Sequence, residues 1–556
     1  MSKPFSLMQG VLLASVVMPA VSAFALDQPD AGRTLQQMQP WTVPQPPQKT
    51  VSPLEADSLD KPSAAAPGQP EMRFLVKSMT VKGSTAFTAR ELESLLTAMV
   101  GSERTLSELN EAARQITRYY RHHGYSVARA YLPAQTVQNG EVVIQVLEGK
   151  LNRIVLNNKS KVSDEYLKSL IEGRITPGQL MDTSRVNRAL LLANTLPGVG
   201  RIQGALRAGE EVGTTNLIVS VPEGRSRSGD IMLDNTGNRF TGQYRLSGHM
   251  QFNNPLQAGD QLDLRATVSD ESLAYGLVSW DMPVGVNGWR AGVETGYSRY
   301  VLGDQFASLD LHGDALTIGL KASYPLVLDV KRKILFEAAL QQSNLSDITA
   351  FTVDKKVSSA VLTLSGNAVR GEGAGAWRME GTFGSLSIDP ASERAKDAAG
   401  AKSNGSFTKV TLSGSYLYSL SEKSGLYGSL SAQFAGKNLD SSEKFLLGGV
   451  GGVRAYPSGE GLGDEGWLAT AEWRYRLLPT LQGVLFYDTG GVDVNHTPFA
   501  AGKNHRTLSG QGLGLNASPV PGVGLKLNVA WRGSEVPVSD GKDLKPRIWL
   551  QGSYQF

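Results

Sequence analysis

The last residues of the chain alternate between apolar and polar side chains. Residues 548–556 divide into two faces: Ile548, Leu550, Gly552, Tyr554 and Phe556 on one, and Trp549, Gln551, Ser553 and Gln555 on the other. A period of two residues indicates a β-strand, and such an apolar face would be an aggregation-prone edge in a soluble sheet. It is typical of the strand that closes a transmembrane β-barrel, where apolar side chains meet lipid. We therefore expect Phe556 to be the barrel-closing terminal residue.

The composition excludes several classes of protein. The chain has 556 residues, which is long enough for several domains. Its 55 basic and 52 acidic residues leave a net charge of +3, too small to indicate a nucleic-acid partner. The absence of cysteine excludes a disulfide scaffold and catalysis by a thiolate.

The N-terminus carries the pattern of an export signal. Lys3 precedes an apolar run at 11–18, and an A-x-A cleavage site follows at 23–25, so residues 1–25 are predicted to be a secretory signal peptide. An N-terminal membrane anchor is disfavoured because the apolar run is short. No later segment reaches about 18 uninterrupted apolar residues, so we predict no membrane-spanning helix. An exported chain of this kind with a terminal barrel strand indicates the outer membrane of a Gram-negative bacterium.

The first segment after the signal peptide, residues 26–39, carries one apolar stripe. Ala31, Leu35 and Met38 share a helical face. A helix this short is marginal alone in water, so the segment either docks on another surface or is disordered, and its periodicity alone favours disorder. Residues 40–70 contain eight prolines and cannot pack a core, which predicts an extended, semi-rigid linker.

Two α+β modules with the order β-α-α-β-β are predicted over residues 71–149 and 150–224. Capping boxes mark two helix starts in the first module, Thr88 with Glu91 and Thr105 with Glu108. The predicted segments of the first module are strand 74–81, helices 88–97 and 105–123, and strands 126–132 and 141–147. Those of the second are strand 152–156, helices 163–171 and 183–195, and strands 201–206 and 216–221. The modules end in similar phrases, Val-Leu-Glu-Gly at 146–149 and Val-Pro-Glu-Gly at 221–224.

From residue 225 to residue 556, helical periodicity gives way to glycine-rich alternation. Residues 244–252, 261–268 and 467–475 each alternate between apolar and polar side chains. We predict about sixteen antiparallel strands in an all-β transmembrane barrel, with fourteen and eighteen as alternatives. Because the signal peptide and the last strand indicate a membrane, we expect apolar faces toward lipid and polar faces toward a water-filled lumen.

Two phrases in the barrel region are suited to a specific contact. Val453-Arg454-Ala455-Tyr456 lies in a glycine-rich loop, and Phe486-Tyr487-Asp488-Thr489-Gly490 lies on a strand whose pattern points Asp488 inward. A guanidinium binds a carboxylate well through two hydrogen bonds, so an Arg454–Asp488 salt bridge would pin the loop to the barrel wall. The alternative is that Arg454 is a solvated loop cation and Asp488 a turn residue, and the spacing alone favours this alternative.

With these phrases in this order, the chain resembles the two-partner secretion transporters, a branch of the superfamily that includes the barrel-assembly insertase. The family's phrases are V-R-G-[YF] on a loop in the lumen and F-x-D-x-G on the barrel wall. Ala455 departs from the first phrase, because glycine is usual there. The resemblance implies a plug helix at 26–39, a linker, two periplasmic polypeptide-transport-associated (POTRA) domains and a sixteen-stranded barrel. It also implies that residues 453–456 lie in the lumen and that Arg454 pairs with Asp488.

The resemblance further implies a function in protein export. The barrel would be a pore that secretes one large partner exoprotein, such as an adhesin, a haemolysin or a contact-dependent toxin, with the POTRA domains recognising this cargo. An insertase-like assembly factor of the same superfamily is the alternative. The implied pore is monomeric, lies in outer-membrane lipid, is inserted by the barrel-assembly machinery and needs no cofactor.

Motifs of enzymatic chemistry are absent from the sequence. It contains neither a G-x-S-x-G nucleophile elbow nor a phosphate-binding P-loop, so we predict no enzyme, and a barrel lipase is disfavoured. A passive porin is disfavoured because it would not need so large a periplasmic region. His122 and His123 are adjacent and do not share a helix face, which favours a helix end over a metal site.

Overall fold

A computed structural model of the chain describes residues 29–38, 43–47, 52–55, 72–137, 139–349, 351–540 and 542–556. The predicted signal peptide at 1–25 and much of the predicted linker lie outside the described residues. Before the first module, the described part contains helix α1 (Ala31–Met38) and strand β1 (Leu54–Glu55). The disorder favoured by periodicity alone is therefore wrong for 31–38, because the barrel buries the apolar stripe that an isolated helix would expose.

Over its described residues, the first module has five strands where the sequence predicts three. Its elements are β2 (Arg73–Val76), β3 (Ser78–Lys82), α2 (Ala89–Ser94), β4 (Ser102–Thr105), α3 (Leu106–His122), β5 (Arg129–Tyr131) and β6 (Glu141–Leu147). Both predicted capping boxes are present, at Thr88 and Thr105. The predicted first strand is divided into β2 and β3, and β4 pairs antiparallel with β2. The chain turns into β4 at Gly101, whose φ of +86° glycine adopts without strain.

The second module follows the predicted order. Its elements are β7 (Lys150–Asn158), α4 (Asp164–Glu172), α5 (Thr183–Asn194), β8 (Gln203–Ala208) and β9 (Thr214–Val221). They form a sheet with the order β1-β8-β9-β7, in which β1 comes from the predicted linker. Leu167 of α4 and Leu190 of α5 are fully buried in the core beneath this sheet. Among the described residues, no helix combines the length and the apolar character needed to cross a membrane.

The glutamates of the two closing phrases differ in structure. Glu148 is buried and accepts hydrogen bonds from the backbone N–H groups of Thr85 (2.6 Å) and Ala86 (2.7 Å) and from the Tyr120 hydroxyl (2.7 Å). Burial by itself raises the pKa of Glu148, but these hydrogen bonds outweigh it and hold the pKa below its usual value of 4.5. Glu223, at the same place in the second module, is exposed.

Sixteen strands close into an antiparallel barrel, as predicted. They are β10 (Arg227–Asp234), β11 (Arg245–Asn253), β12 (Gln261–Ser269), β13 (Ala274–Val284), β14 (Trp289–Val301), β15 (His312–Leu328), β16 (Arg332–Ile348), β17 (Thr352–Arg370), β18 (Gly373–Asp389), β19 (Gly405–Ser419), β20 (Ser424–Ala435), β23 (Glu465–Leu478), β24 (Leu481–Asp493), β25 (His505–Ala517), β26 (Val523–Arg532) and β27 (Arg547–Gln555). β27 pairs with β10 and closes the barrel. Between β20 and β23, β21 (Phe445–Leu446) and β22 (Leu462–Gly463) form a separate two-stranded ribbon.

The barrel has an apolar outer face and a polar inner face. On β23, Trp467 and Trp473 are exposed on the outer face, whereas Glu472 lies on the inner face and is largely buried. The wall of the next strand continues this pattern, with Leu485 exposed outward and Asp488 fully buried inside. The expected arrangement of apolar faces toward lipid and polar faces toward the lumen is therefore confirmed.

The second module packs against one end of the barrel. Arg174 donates to the carbonyl oxygen of Val286, in the turn between β13 and β14, at 2.8 Å, and Arg188 donates to that of Pro325 on β15 at 2.9 Å. Leu328 of β15 joins the apolar core of the module. The module is thereby held beside the end of the barrel where β10 begins, which is the end that the sequence predicts to face the periplasm.

Candidate functional site in the barrel lumen

The long connection between β20 and β23 folds into the lumen. We call its residues 445–463 the lumenal loop. Leu447 and Val453 of this loop are fully buried and pack in one cluster with the wall residue Phe486. Gly490 on β24 permits this close approach, because a Cβ there would lie 2.5 Å from a side-chain carbon of Leu447. The structure therefore places the phrase 453–456 against the wall phrase 486–490.

The guanidinium of Arg454 lies between two wall carboxylates. Its Nε and Nη2 donate to the two carboxylate oxygens of Asp488, each at 2.8 Å, and the backbone N–H of Arg454 donates to the same carboxylate at 3.1 Å. Its Nη1 donates to Glu472 at 2.9 Å. Asp488 is fully buried, and Arg454 is 8% exposed. Paired charges this deeply buried restrain both the backbone and the side chain of the loop.

Other wall side chains orient this pair. The Cζ atom of Arg454 lies 3.5 Å from the ring centre of Phe486, within the range of a cation–π contact. Thr470 Oγ1 donates to Asp488 at 3.0 Å, and Trp549 Nε1 donates to the carbonyl oxygen of Arg454 at 2.7 Å. Groups from β23, β24 and β27 thus all contribute to the position of one loop arginine.

Ala455, which stands where the family phrase has glycine, faces a glycine on the wall. A Cβ at Gly510 on β25 would lie 2.5 Å from the Cβ of Ala455, so the bare backbone of β25 leaves space for the alanine methyl. Ala455 is also not among the residues with positive φ, so its backbone does not require glycine. The extra methyl group is therefore accommodated by the wall and leaves the loop inside the lumen.

A second buried carboxylate ties the loop to a different part of the wall. Glu460 is fully buried. It forms an ion pair with Nη1 of Arg506 on β25 at 2.6 Å and accepts a hydrogen bond from the backbone N–H of Ser539 at 2.8 Å. The hydroxyl of Tyr456 donates to the carbonyl oxygen of Glu535 at 2.7 Å. Ser539 and Glu535 belong to the connection between β26 and β27, so this connection covers the loop.

Helix α1 also lies in the lumen. The backbone N–H of Ala31 donates to Oδ1 of Asp347 on β16 at 2.7 Å, and the Tyr300 hydroxyl on β14 donates to the same oxygen at 2.6 Å. Ala31 and Leu35 of the predicted stripe are buried in an apolar cluster of the inner wall. The carboxylate of Asp347 therefore sits at the N-terminus of the helix, where its charge is stabilising.

The lumenal loop contacts α1 directly. Arg33 Nη2 donates to the carbonyl oxygen of Gly459 at 2.8 Å. Gly32 packs on the turn that precedes the loop, and a Cβ at Gly32 would lie 2.8 Å from the backbone nitrogen of Ser442. The helix and the loop consequently form one assembly inside the barrel.

The segment after α1 runs from the lumen toward the modules. The Ser415 hydroxyl on β19 donates to the carbonyl oxygen of Pro44. Leu54 and Glu55 then pair with β8 of the second module, at the periplasmic end. The N-terminal part of the chain therefore follows the lumen over its described residues.

Several residues of these contacts are not among the sequence-predicted site residues, and Glu460, Glu472 and Arg506 are the charged ones around the lumenal loop. Glu472 could have been found, because the alternation of residues 467–475 already puts it on the inner face. No local pattern connects Glu460 to Arg506, which belongs to another strand.

The remaining predicted positions lie away from the lumenal contacts. The backbone of Phe556 exchanges two hydrogen bonds with Gly229 beside the β10–β27 seam, and its ring is exposed on the outer face. His122 is the last residue of α3, and His123 follows it as the helix cap. Within the described ranges, no three His, Asp or Glu side chains cluster closely enough to hold a metal ion.

Known proteins resemble this chain over most of its length. The family described as haemolysin secretion/activation protein ShlB/FhaC/HecB matches residues 213–517, and the POTRA domain of ShlB type matches residues 74–149. The heme/hemopexin transporter protein HuxB of Haemophilus influenzae is 28% identical over 525 residues, which cover 92% of each chain. The outer membrane transporter CdiB of Dickeya dadantii is 23% identical over 502 residues, which cover 86% of this chain and 84% of the relative.

Solved structures share the architecture. CdiB from Escherichia coli matches with a TM-score of 0.70 at 20% identity, over 90% of this chain and 93% of that one. BamA from Haemophilus ducreyi, without its POTRA domains 1–3, matches with a TM-score of 0.51 at 14% identity, over 87% of this chain and 100% of that one. At these identities the likeness shows the fold alone.

Proposed function

We infer the function of this chain from its family, because it belongs to the haemolysin secretion/activation proteins ShlB/FhaC/HecB. It is an outer-membrane protein transporter of the two-partner secretion type, with POTRA-like α/β modules and a sixteen-stranded barrel. We propose that its lumen conducts one large secreted exoprotein from the periplasm to the outside, and that the modules recognise this cargo.

One observation carries the proposal: the lumen is filled by two parts of the chain that are not part of the wall. These are α1 and the lumenal loop. α1 is not a member of the barrel sheet, so it can leave without breaking any pairing between barrel strands. A barrel of sixteen strands is wide enough to keep a water-filled interior once α1 has left.

The proposed division of the chain follows this role. It comprises a removable signal peptide at 1–25, a plug helix at 26–39, a linker at 40–70, POTRA domains at 71–149 and 150–224, and the transmembrane barrel at 225–556. Unfolded cargo binds the modules first and enters the lumen after the plug helix leaves. The salt bridge between Arg454 and Asp488 keeps the lumenal loop in a transport-competent position.

The cargo is proposed as a class of protein. One relative is named a heme/hemopexin transporter and another, HpmB of Proteus mirabilis, a hemolysin transporter, so related barrels are named for different cargo. We therefore propose a large exoprotein with an N-terminal secretion segment, without choosing among adhesin, haemolysin and contact-dependent toxin.

Several finer properties belong to the same proposal. The chain has no catalytic activity, and it uses no cofactor, because folding of the cargo outside the cell gives the transport its direction. It acts as a monomer, since one chain supplies a complete barrel, and it is inserted into outer-membrane lipid by the barrel-assembly machinery.

The direct test is a comparison of secreted proteins. We define the cognate exoprotein as the large protein that disappears from the culture medium when the gene for this chain is deleted. Reintroduction of the full chain should restore its secretion, whereas a chain without residues 71–224 should insert into the outer membrane and fail to restore it. Full restoration by that shortened chain would contradict cargo recognition by the modules, and a medium unchanged by the deletion would contradict export itself.

A further inference from the structure

Two arginines meet at the junction between the second module and the barrel. Arg174, just after α4, donates through Nη1 to the carbonyl oxygen of Val286 at 2.8 Å. Arg188 of α5 donates through Nη2 to that of Pro325 at 2.9 Å. Among the described residues neither guanidinium pairs with a carboxylate, and Nε and the second Nη of each have no acceptor. Because a guanidinium carries five N–H donors, most of theirs remain available.

The two positive charges disfavour each other. Burial and, after it, the nearby charge of Arg188 lower the pKa of the Arg174 guanidinium from its ordinary value. The carboxylate of the adjoining β15–β16 turn already has a partner, since Asp329 accepts a hydrogen bond from Nε of Arg332 at 2.8 Å. An anion bound between Arg174 and Arg188 therefore relieves their repulsion and uses their free donors.

An aromatic pair marks the membrane side of this junction. Trp289 and Tyr324 pack with their ring centres 4.9 Å apart. Trp289 begins β14 on the same exposed outer face as Val293, and Tyr324 immediately precedes Pro325, the acceptor of Arg188. Trp and Tyr at the ends of barrel strands are typical of the lipid headgroup level. The two arginines consequently lie beside the depth at which lipid phosphates are found.

The surroundings of the arginines suit a phospholipid better than a free anion. Leu326, two positions beyond Tyr324 on β15, is 48% exposed on the apolar outer face. Lys331 is exposed in the turn that follows β15 and adds a further cation at the same rim. A ligand that carries both a phosphate and acyl chains contacts the cations and the apolar wall together, whereas a free phosphate uses the cations alone.

We propose that Arg174 and Arg188 bind the phosphate of one phospholipid of the periplasmic leaflet, and that Trp289 and Tyr324 lie beside its acyl chains. Guanidinium groups suit phosphate oxygens because they donate two parallel hydrogen bonds. The bound lipid touches the module and the barrel at once. The membrane itself then helps to hold the second module at a fixed angle below the pore.

Binding of defined probes to the purified full-length chain tests the proposal. Native mass spectrometry in detergent measures how tightly the chain binds phosphatidylglycerol, diacylglycerol with the same acyl chains, and inorganic phosphate. Phosphatidylglycerol should bind about tenfold more tightly than either other probe, because it alone offers both a phosphate and acyl chains. Diacylglycerol that binds as tightly overturns phosphate recognition, and inorganic phosphate that binds as tightly overturns the lipid as the ligand.

A pair of double variants locates the site. Arg174→Gln with Arg188→Gln should weaken the tightest phosphatidylglycerol binding about tenfold, because the charge-assisted hydrogen bonds to the phosphate are lost. Arg153→Gln with Arg207→Gln is the matched control. It removes the same charge from the sheet of the same module, where Arg153 is 60% exposed and pairs with Glu210, and it should bind as the wild type does.

Equal binding by the two double variants overturns the site, because net charge alone would then govern the affinity. Resistance of the barrel to heat in detergent gels shows that each variant has folded. If the arginine variant does not fold, the comparison of the three probes on the wild-type chain decides between the proposal and its rejection.

Discussion

The contact between Arg454 and Asp488 predicts an unequal pair of mutational effects. In Arg454→Ala, the fully buried Asp488 keeps a side-chain hydrogen bond from the Thr470 hydroxyl. Glu472 loses its ion pair with Arg454 and keeps the one with Arg474. Asp488→Ala leaves Arg454 with Glu472 at 2.9 Å. The arginine substitution should therefore destabilise the lumenal loop more than the aspartate substitution does.

The magnitudes follow from burial. Removal of one partner of a buried ion pair typically costs about 3–5 kcal/mol, so we expect about 4 kcal/mol for Arg454→Ala. For Asp488→Ala we expect about 2 kcal/mol, because a second carboxylate still neutralises the guanidinium. The double variant leaves neither charge unpaired and should cost about 4 kcal/mol, which corresponds to a coupling energy of about 2 kcal/mol.

Two measurements check this cycle. The first is the free energy of unfolding of the purified barrel, measured by denaturant titration. The second is the release of the loop, measured by maleimide labelling of a cysteine introduced as Gly451→Cys. A new Cβ at this position would meet no atom within 4 Å. Labelling should be faster in both single variants, and secretion should fall in both. Arg265→Ala is the matched control, since this arginine is 56% exposed and its ion pair within the described residues is with Asp263 of the same strand. Costs that add within about 0.5 kcal/mol would refute the coupling.

Three further substitutions test other contacts. Gly32→Val should raise the ion conductance of the purified pore in planar bilayers, because the new side chain overlaps the backbone of Ser442 and expels α1. Glu148→Gln should weaken the acid sensitivity of the first module. With its pKa below 4.5, Glu148 stabilises the fold above the unfolded pKa, and this contribution is lost as the pH falls through the folded pKa. Amide hydrogen exchange of α3, followed as a function of pH, measures this contribution of Glu148 to stability. Glu460→Gln should lower secretion about tenfold while the barrel still inserts, because Arg506 loses its fully buried charge partner and keeps only the half-exposed Glu535.

Each of these substitutions has a matched control. Gly451→Val adds the same side chain at a position where a new Cβ meets no atom within 4 Å. If the conductance of Gly32→Val is no higher than that of this control, α1 does not obstruct the lumen. Glu223→Gln changes an exposed glutamate and should leave the pH profile of the first module unchanged, so identical profiles for it and Glu148→Gln would contradict the assigned role of Glu148. Glu535→Gln changes a half-exposed partner of Arg506 and should secrete nearly normally. Equal losses of secretion in Glu460→Gln and Glu535→Gln would mean that the burial of the glutamate does not determine the size of the loss.

Local features of the fold were predictable because short-range physics determines them. The capping boxes at Thr88 and Thr105 involve residues three positions apart, and both form as the sequence predicts. The alternation of 467–475 likewise identifies the two faces of β23. The resemblance to the family phrases predicted that Arg454 lies in the lumen. Spacing alone favoured a solvated loop cation.

Contacts between distant segments were not predictable in the same way. The pairing of Leu54 with Gly204 depends on an exposed strand edge that exists only once the second module has folded. The contact of Glu460 with Arg506 needs the loop to lie inside the barrel. β4 was missed because its residues 102–105 become a strand only by pairing with β2.

The position of α1 inside its own barrel makes closure of the lumen an intramolecular equilibrium. The helix is joined covalently to the second module by the segment between Met38 and Leu54, and a covalent tether of this length gives an effective concentration of about millimolar. A partner present at about micromolar concentration must therefore bind the lumen about a thousandfold more tightly than α1, an advantage of about 4 kcal/mol, to occupy it equally often. The closed fraction does not change when the protein is diluted or overproduced. It depends on tether length, so an insertion in that segment weakens closure without altering a single contact in the lumen.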